Sequence, residues 1–357
     1  MPNLRVASWN LQNLFDTTAS NIAADLEFTP EQGWDAEALD KKLTNLATVI
    51  QAMHGGQGPE LLGIVEVETR ALLEQLIGRT GLSHLQVAHV DSPDLRGIDT
   101  SLIYDERVFE PAGAPVGHVM HLRHRTRDVF QVPLKVKANG AVLHVFVNHW
   151  PSRSAGQYET EPLRIAVAEN CARLLDGLVK FERNEYLAMP DSMATLDALN
   201  ARFDSNAIFM GDFNDEPWSR SLVEYCLASK DLDHIEEPLK KAPAGDGSGR
   251  LHTPAPARYL DLRAYLFNCM APLAGAADTG TLHFSGGTNT MNLLDQFLVS
   301  RGLLFGRSKL KMKLDSVRIF KAPSMTSGGK QRPIAFDKKT KKGTSDHFPI
   351  EAEIEVL

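Results

Sequence analysis

Polar residues fall repeatedly at the ends of apolar runs in this chain, and their types are those that phosphate-ester chemistry uses. Asn10 closes Leu4-Arg-Val-Ala-Ser-Trp, Glu66 follows Leu61-Leu-Gly-Ile-Val, and Asn148-His149 ends Leu143-His-Val-Phe-Val. Asp212 and Asn214 follow Ala207-Ile-Phe-Met-Gly, Asp295 stands just before Phe297-Leu-Val, and Asp346-His347 precedes the run from Ile350 to Val356. One Asn or Asp in such a place is an ordinary turn former. Six strand ends of the same kind point instead to reacting groups gathered on loops. Carboxylates and amide oxygens suit a hard cation such as Mg²⁺, with Mn²⁺ or Ca²⁺ as alternatives, and two histidines can move protons near neutral pH. No Walker loop, glycine-rich dinucleotide turn or Gly-x-Ser-x-Gly elbow occurs, so triphosphate and acyl-transfer chemistry lack their apparatus.

Strands must carry these groups, and helices must cover the strands. Asp35 can cap a helix whose apolar positions Leu39, Leu43, Leu46, Val49, Ile50 and Met53 keep the three-and-four spacing, stopped at Gly55-Gly56. A second helix is expected from Thr69 to Gly81, a long one around Pro162 to Phe181 and a short one near Ser219 to Leu227. Strands are expected at Leu4–Asn10, Leu61–Val65, His84–Val90, Thr100–Tyr104, Val129–Val136, Ala141–Val147, Ala207–Met210, Leu293–Val299, Lys309–Leu314 and Ile350–Val356. In the Lys309 run, three lysines alternate with Leu310, Met312 and Leu314, which predicts a strand with one solvent face. The stretches Pro238–Pro256 and Pro323–Lys342 are rich in Pro, Gly, Ser and Lys and read as loops.

The chain has 357 residues, 43% apolar and 23% charged, which excludes disorder and allows a large core. Its net charge is −7, but Arg301 to Lys342 holds thirteen Lys or Arg against Asp315 and Asp337, giving +11 there and −18 elsewhere. Such polarisation fits an acidic body with one basic face, or simply a solvated lysine-rich loop. Cys171, Cys226 and Cys269 are far apart and odd in number, so buried thiols in a reducing compartment are expected. No run reaches membrane-spanning length and the start has no export signal, so a cytoplasmic protein without a membrane anchor is expected.

The order and wording of the motifs resemble the endonuclease/exonuclease/phosphatase superfamily, which includes deoxyribonuclease I-like nucleases, apurinic-site endonucleases, sphingomyelinases and inositol-polyphosphate 5-phosphatases. The residues that carry this resemblance are Ser8-Trp-Asn10-Leu, Ile64-Val-Glu66-Val, Arg96-Gly-Ile-Asp99, Asn148-His149-Trp-Pro-Ser-Arg153, Gly211-Asp212-Phe-Asn214-Asp, Leu294-Asp295-Gln-Phe and Ser345-Asp346-His347-Phe-Pro. The resemblance implies one domain over residues 1–357, an α/β fold of the four-layer sandwich type with two mixed β-sheets packed face to face and flanked by helices. It implies Glu66 as the principal Mg²⁺ ligand, with Asn10 and Asp346 completing or orienting the metal shell. Asp212 and Asn214 would hold the attacking water and a phosphate oxygen. His347, oriented by Asp295, would be general base or phosphate donor, and His149 would protonate the leaving oxygen, with a buttress from the Asp91–Asp94 segment. Arg127 is a candidate for the scissile phosphate. Gln12 stands where apurinic-site enzymes have an acid, so abasic-site specificity is not expected.

The expected activity is a Mg²⁺-dependent phosphodiesterase, foremost a nuclease hydrolysing DNA or RNA by direct water attack. A phosphomonoesterase or lipid phosphodiesterase is the alternative, and a non-catalytic binding module the remote one. Lys338, Lys339, Lys341 and Lys342 end beside Ser345-Asp346-His347 and would grip flanking phosphates of a nucleic-acid substrate. Glu68 reads as a solvated acid, Trp34, Trp150 and Trp218 as packing groups, and His118, His121 and His124 as an exposed loop or hairpin.

Overall fold

The central strands are apolar on both faces, and that decides the architecture. In the first strand Leu4 and Val6 join one hydrophobic cluster, while Ala7, Trp9 and Leu11 join another. The same split recurs where Ile208 and Met210 face one way and Ala207 and Phe209 the other. A strand of this kind needs cover on both sides. The computed structural model provides it, and describes residues 3–18, 25–122, 125–236, 239–240, 248–275, 279–284, 290–327 and 330–357.

In chain order the strands are β1 Asn3–Leu14, β2 Leu61–Val67, β3 Leu85–His89, β4 Asp99–Asp105, β5 Phe109–Pro111, β6 Val116–His118, β7 Val129–Val136, β8 Val142–His149, β9 Asn206–Asp212, β10 Ala228–Ser229, β11 Leu266–Asn268, β12 Leu282–Phe284, β13 Thr290–Asn292, β14 Asp295–Val299, β15 Leu310–Ile319, β16 Thr326–Ser327, β17 Lys330–Pro333 and β18 Ile350–Val356. One sheet runs β15-β18-β1-β2-β4-β3 and the other β10-β11-β14-β9-β8-β7-β5, with β6 on β7. Both are mixed: β1–β2 and β8–β9 are parallel, whereas β1–β18, β7–β8 and β9–β14 are antiparallel. Leu61, Val65, Leu143, Val145, Ile208, Phe297 and Ile350 fill the space between the sheets.

Helices close the outer faces. Helix α1, Ala36–Gly56, is capped by Asp35, whose side chain accepts from Ala38 N at 2.8 Å. Helix α2, Arg70–Thr80, starts at the Thr69 cap and ends on left-handed Gly81. Leu43, Leu46, Ile50, Leu72 and Leu76 from this pair bury against Trp9, Leu62 and Ile64. On the second sheet, α3 Gln157–Val179, α4 Arg183–Ala188 and α5 Met193–Phe203 contribute Cys171, Leu175, Tyr186 and Leu199 against Phe146 and Phe209. The four-layer sandwich expected from the sequence is therefore the fold. All three cysteines are free and buried.

Several local expectations change. The Lys309 strand runs to Ile319 and shifts register between Lys313 and Arg318, so Leu310 and Met312 are buried but Leu314 is 38% exposed. Ser219–Leu227 yields only one π-type turn, Ser221–Tyr225. The Pro323–Lys342 stretch contains β16 and β17, which pair with each other. His124 and part of the Pro238–Pro256 loop lie outside the described residues. Among the described residues no helix is long and apolar enough to cross a membrane.

Candidate active site

Strand register assembles the site. His149 pairs with Asp212 across β8–β9, and Asp212 pairs with Asp295 across β9–β14, so three neighbouring strand ends present three ionisable groups at one level. Gly211, just before Asp212, has φ 130°, and a Cβ there would lie 2.0 Å from Asn148 O; only glycine lets these strands approach. The other sheet meets this row through Asn10, whose Nδ2 donates to Asp212 Oδ2 at 3.1 Å and to Glu66 Oε1 at 3.3 Å. Glu66 sits where β2 breaks register with both neighbours, and its φ of 65° places it in the left-handed region. Gln12, Asn13 and Asn214 share that conformation. Each such non-glycine residue costs roughly 1–3 kcal/mol and is kept where surrounding contacts over-determine it. Asn13 N, for example, donates to Glu66 Oε2 at 2.8 Å.

His347 is buried against this row. Its Nδ1 is 2.8 Å from Asp295 Oδ2 and its Nε2 3.7 Å from Asp212 Oδ2. The loop bearing it is tied down by Trp9 Nε1, which donates to His347 O at 2.9 Å, and by Ser345 Oγ, which donates to Asn10 O at 2.7 Å. Burial disfavours an imidazolium here, but Asp295, Asp212 and Asp346 outweigh it and hold His347 well above its ordinary range. Burial drives Asp212 the other way for a carboxyl, up to about 7, with Asp295 and Glu66 adding to the effect and the His347 cation opposing it. His149 differs from its counterpart. Burial, then Arg127, Arg96 and His347, pushes it well below the usual imidazole range. Its Nε2 is 3.6 Å from Glu66 Oε1 and 3.9 Å from Asp212 Oδ2, and its Nδ1 has no hydrogen-bond partner.

The expected buttress for His149 is engaged elsewhere: Asp94 Oδ2 is 3.2 Å from Arg127 Nη1, and Asp91 faces His89. Arg127 is buried, and also donates to Trp150 O at 2.9 Å. Asn214 N donates to Asp212 Oδ1 at 2.8 Å, and Asn214 Nδ2 donates to Trp150 O at 3.0 Å. Glu68, read as solvated, is half-buried and accepts from Asp16 N at 2.7 Å. Trp34 and Trp150 are buried, whereas Trp218 is 63% exposed.

Glu66 and Asp346 are the groups suited to a cation. Burial raises the Asp346 carboxyl, and Glu66 raises it further, so two hard oxygen donors repel each other in a partly desolvated place. That donor set fits Mg²⁺. Asn10 turns its amide nitrogen to Glu66, while its Oδ1 accepts from Gln12 N at 2.9 Å, which is the posture of an orienting donor.

The sequence reading passed over two cations. Lys42 lies fully buried on α1, donates to Gln12 O, and sits 5.7 Å from the Trp34 ring centre and 5.3 Å from that of Phe336. Burial lowers it to about 7, while Asp346 and Glu66 pull upward. A lysine one turn from Leu39 and Leu46 on the apolar stripe was the available signal. Arg153 donates to Asn214 O at 2.6 Å and binds Asp215 at 2.8 Å and Glu216, bracing the loop after Asp212. The basic stretch is largely engaged. Arg301, Arg307, Lys313, Arg318 and Lys341 pair with Asp204, Glu236, Glu353, Glu351 and Glu37 respectively. Lys338 donates to Glu27 O at 2.6 Å, leaving Lys339 and Lys342 as the exposed members of the proposed phosphate grip.

The model of the Endonuclease/Exonuclease/phosphatase family matches residues 5–195, more than half of the chain. The chain belongs to this family. No curated protein matches it. Solved structures with the same fold include an endonuclease/exonuclease/phosphatase from Bacteroides vulgatus, at 13% identity and TM-score 0.52 with all of both chains covered. A mannosyl-6-phosphatase of Bacteroides thetaiotaomicron has 14% identity and TM-score 0.51, with 99% of each chain covered. TDP2 of D. rerio, complexed with single-strand DNA product, has 13% identity and TM-score 0.52, again with 99% of each chain covered. The family match spans Asn10, Glu66, Arg127 and His149, and the likeness of fold extends through Asp212, Asp295 and His347.

Proposed function

We propose that the chain is a divalent-metal-dependent phosphoester hydrolase, working as one domain, that cleaves nucleic-acid phosphodiesters by direct attack of water on phosphorus. The convergence of the Asp295–His347 pair with Asp212, Asn10, Glu66 and His149 where the two sheets meet carries this reading. Glu66 and Asp346 would hold the Mg²⁺, which neutralises charge building on the phosphate. Asp212, with a carboxyl near 7, takes a proton from water, since a base works best when its pKa lies near the working pH. Asn10 and the Asn214 N–H orient that carboxylate. His347, kept cationic by Asp295, donates to a phosphate oxygen. Burial, then Arg127 and Arg96, disfavour the His149 cation, so it serves the leaving oxygen as a hydrogen-bonding group rather than as an acid that arrives protonated, and Arg127 adds charge behind it.

One observation favours a small phosphoester as the alternative substrate: the pairing of the basic stretch with the chain's own acids leaves few cations for flanking phosphates. Plasmid DNA, RNA, sphingomyelin, inositol phosphates and a chromogenic diester, each with Mg²⁺ or chelator, separate the readings. Nucleic acid should be cut with Mg²⁺ and spared by Glu66→Gln, which should also weaken Mg²⁺ binding in calorimetry. Cleavage of monoesters alone would reject the nuclease assignment. Inactivity on all of them would reject the hydrolase.

A further inference from the structure

A second group of metal-ligand side chains, sharing no residue with Glu66 and Asp346, lies at the edge of the first sheet. His89 ends β3, Asp99 begins β4, and Asp91 comes from the loop between them. His89 Nε2 is 3.1 Å from Asp91 Oδ1 and 3.3 Å from Asp99 Oδ2, and one donor atom from each residue lies within 4.8 Å of the others. Zinc bonds of about 2.0–2.2 Å in a tetrahedron require donor atoms roughly 3.3–3.6 Å apart, close to the two His–Asp distances. The outer contacts are also in place. Ser101 Oγ is 2.7 Å from His89 Nδ1, and Ser92 N donates to Asp99 Oδ1 at 2.8 Å, so His89 and Asp99 each have the far side fixed.

An independent observation points the same way. Asp128, just before β7, is only 6% exposed, yet its Oδ1 has no hydrogen-bond partner. Its other oxygen rests where Gly117 leaves room, since a Cβ on Gly117 would lie 2.5 Å from it. With Asp91 and Ser92, Asp128 lines a cavity of about 560 Å³. Burial, then the Asp99 charge, pushes its carboxyl up to about 6. A desolvated, unpartnered carboxylate that shares a cavity with Asp91 and feels the charge of Asp99 is costly unless a cation joins them.

We propose that His89, Asp91 and Asp99, with the Asp128 carboxylate beside them, form a second divalent-metal site, distinct from the candidate active site, that takes Zn²⁺ or Mn²⁺ in preference to Mg²⁺ or Ca²⁺. The imidazole nitrogen sets this preference, because the hard ions favour all-oxygen shells. The ion anchors the β3–β4 loop. That loop also carries Asp94, which holds Arg127, and Arg96, whose Nη2 donates to Asn13 Oδ1 at 2.6 Å beside Glu66. The site thereby fixes from outside two arginines that face the candidate active centre.

Calorimetry and metal analysis on chelator-stripped full-length protein test this, in a Glu66→Gln background so that the other centre contributes little. One equivalent of Zn²⁺ or Mn²⁺ should bind, and Mg²⁺ should not compete. Asp91→Ala is the safest variant, because that side chain is 92% exposed and holds no packing together. It should weaken binding by at least the ~10-fold that even outer-shell changes cost, and His89→Gln should abolish it. Co²⁺ should give a visible absorption band in the parent and none in His89→Gln. Equal Zn²⁺ and Mn²⁺ binding in all three proteins would overturn the proposal. So would absence of binding in the parent, which would leave His89 as a protonated partner of the two carboxylates.

Discussion

Removing His347 should hurt the fold more than removing His347 and Asp295 together. Asp295 is fully buried, its Oδ1 has no partner, and its Oδ2 faces His347 Nδ1 at 2.8 Å. His347→Ala strands that carboxylate, and breaking a buried pair from one side costs about 3–5 kcal/mol. Asp295→Ala is milder, because the imidazolium keeps Asp212 at 3.7 Å and the nearby Asp346. In the double variant both charges are gone and mainly a cavity remains, so its cost should fall short of the summed singles by at least ~2 kcal/mol. Urea unfolding of the four proteins without added metal reads this directly. Rates should follow the same non-additivity. Each single variant should lose ~10²–10⁴-fold on a chromogenic diester, and the double little more than the worse single. Additive losses in both stability and rate would refute the dyad. Coupling in stability alone would leave the pair as architecture and remove it from the mechanism.

Asp212 near 7 should make kcat/KM fall about tenfold per pH unit below about pH 7; a flat profile from pH 5 to 8 would refute its role as base. Since folded Asp212 keeps its proton to about 7 while the unfolded chain releases it near ~4, its contribution to stability declines as pH rises through that window, and Asp212→Asn should flatten the decline. Lys42 has the opposite sign: lowered to about 7 in the fold against ~10.4 unfolded, it gives a stability that rises with pH above neutrality, which Lys42→Met should erase in thermal scans. The same variant removes a cation near Glu66 and Asp346, and Mg²⁺ should bind ~5–30-fold tighter in calorimetry. Replacing Lys339 and Lys342 by serine should lower the salt slope of DNA cleavage by ~2, while Lys341→Ser, whose partner is Glu37, should barely change it.

What the sequence made legible follows from what periodicity and strand ends encode. Helix α1 was readable because Asp35 and the stripe from Leu39 to Met53 are local, and β8 and β9 because continuous apolar runs announce strands covered twice. The candidate site was readable because its groups terminate those runs. Helix α5 was missed although Ser192 caps it and Leu196, Leu199 and Phe203 keep helical spacing. Other features depend on partners far away in the chain. Lys341 is neutralised by Glu37, Asp94 goes to Arg127 instead of His149, and Leu314 is turned outward by a register shift on β15. No window of sequence holds both members of such a pair.

The two histidines show why a motif names a residue without naming its charge. His149 ends β8 and His347 lies in the loop before β18, yet both approach the same Asp212 oxygen, at 3.9 and 3.7 Å, and both are buried. From composition they are interchangeable. What separates them is the atom behind the ring. His347 has Asp295 on its Nδ1, which stabilises the cation against burial, while His149 has no hydrogen-bond partner on Nδ1, so burial, then Arg127 and Arg96, disfavour its cation. One site thus favours the cation on one imidazole and disfavours it on the other, around a single carboxylate. Groups of like chemistry pushed apart by their surroundings divide donor from acceptor work. The difference follows from Asp295 behind one ring and from burial with Arg127 behind the other, so on the proposed mechanism exchanging the charges behind the rings should shift the proton between them.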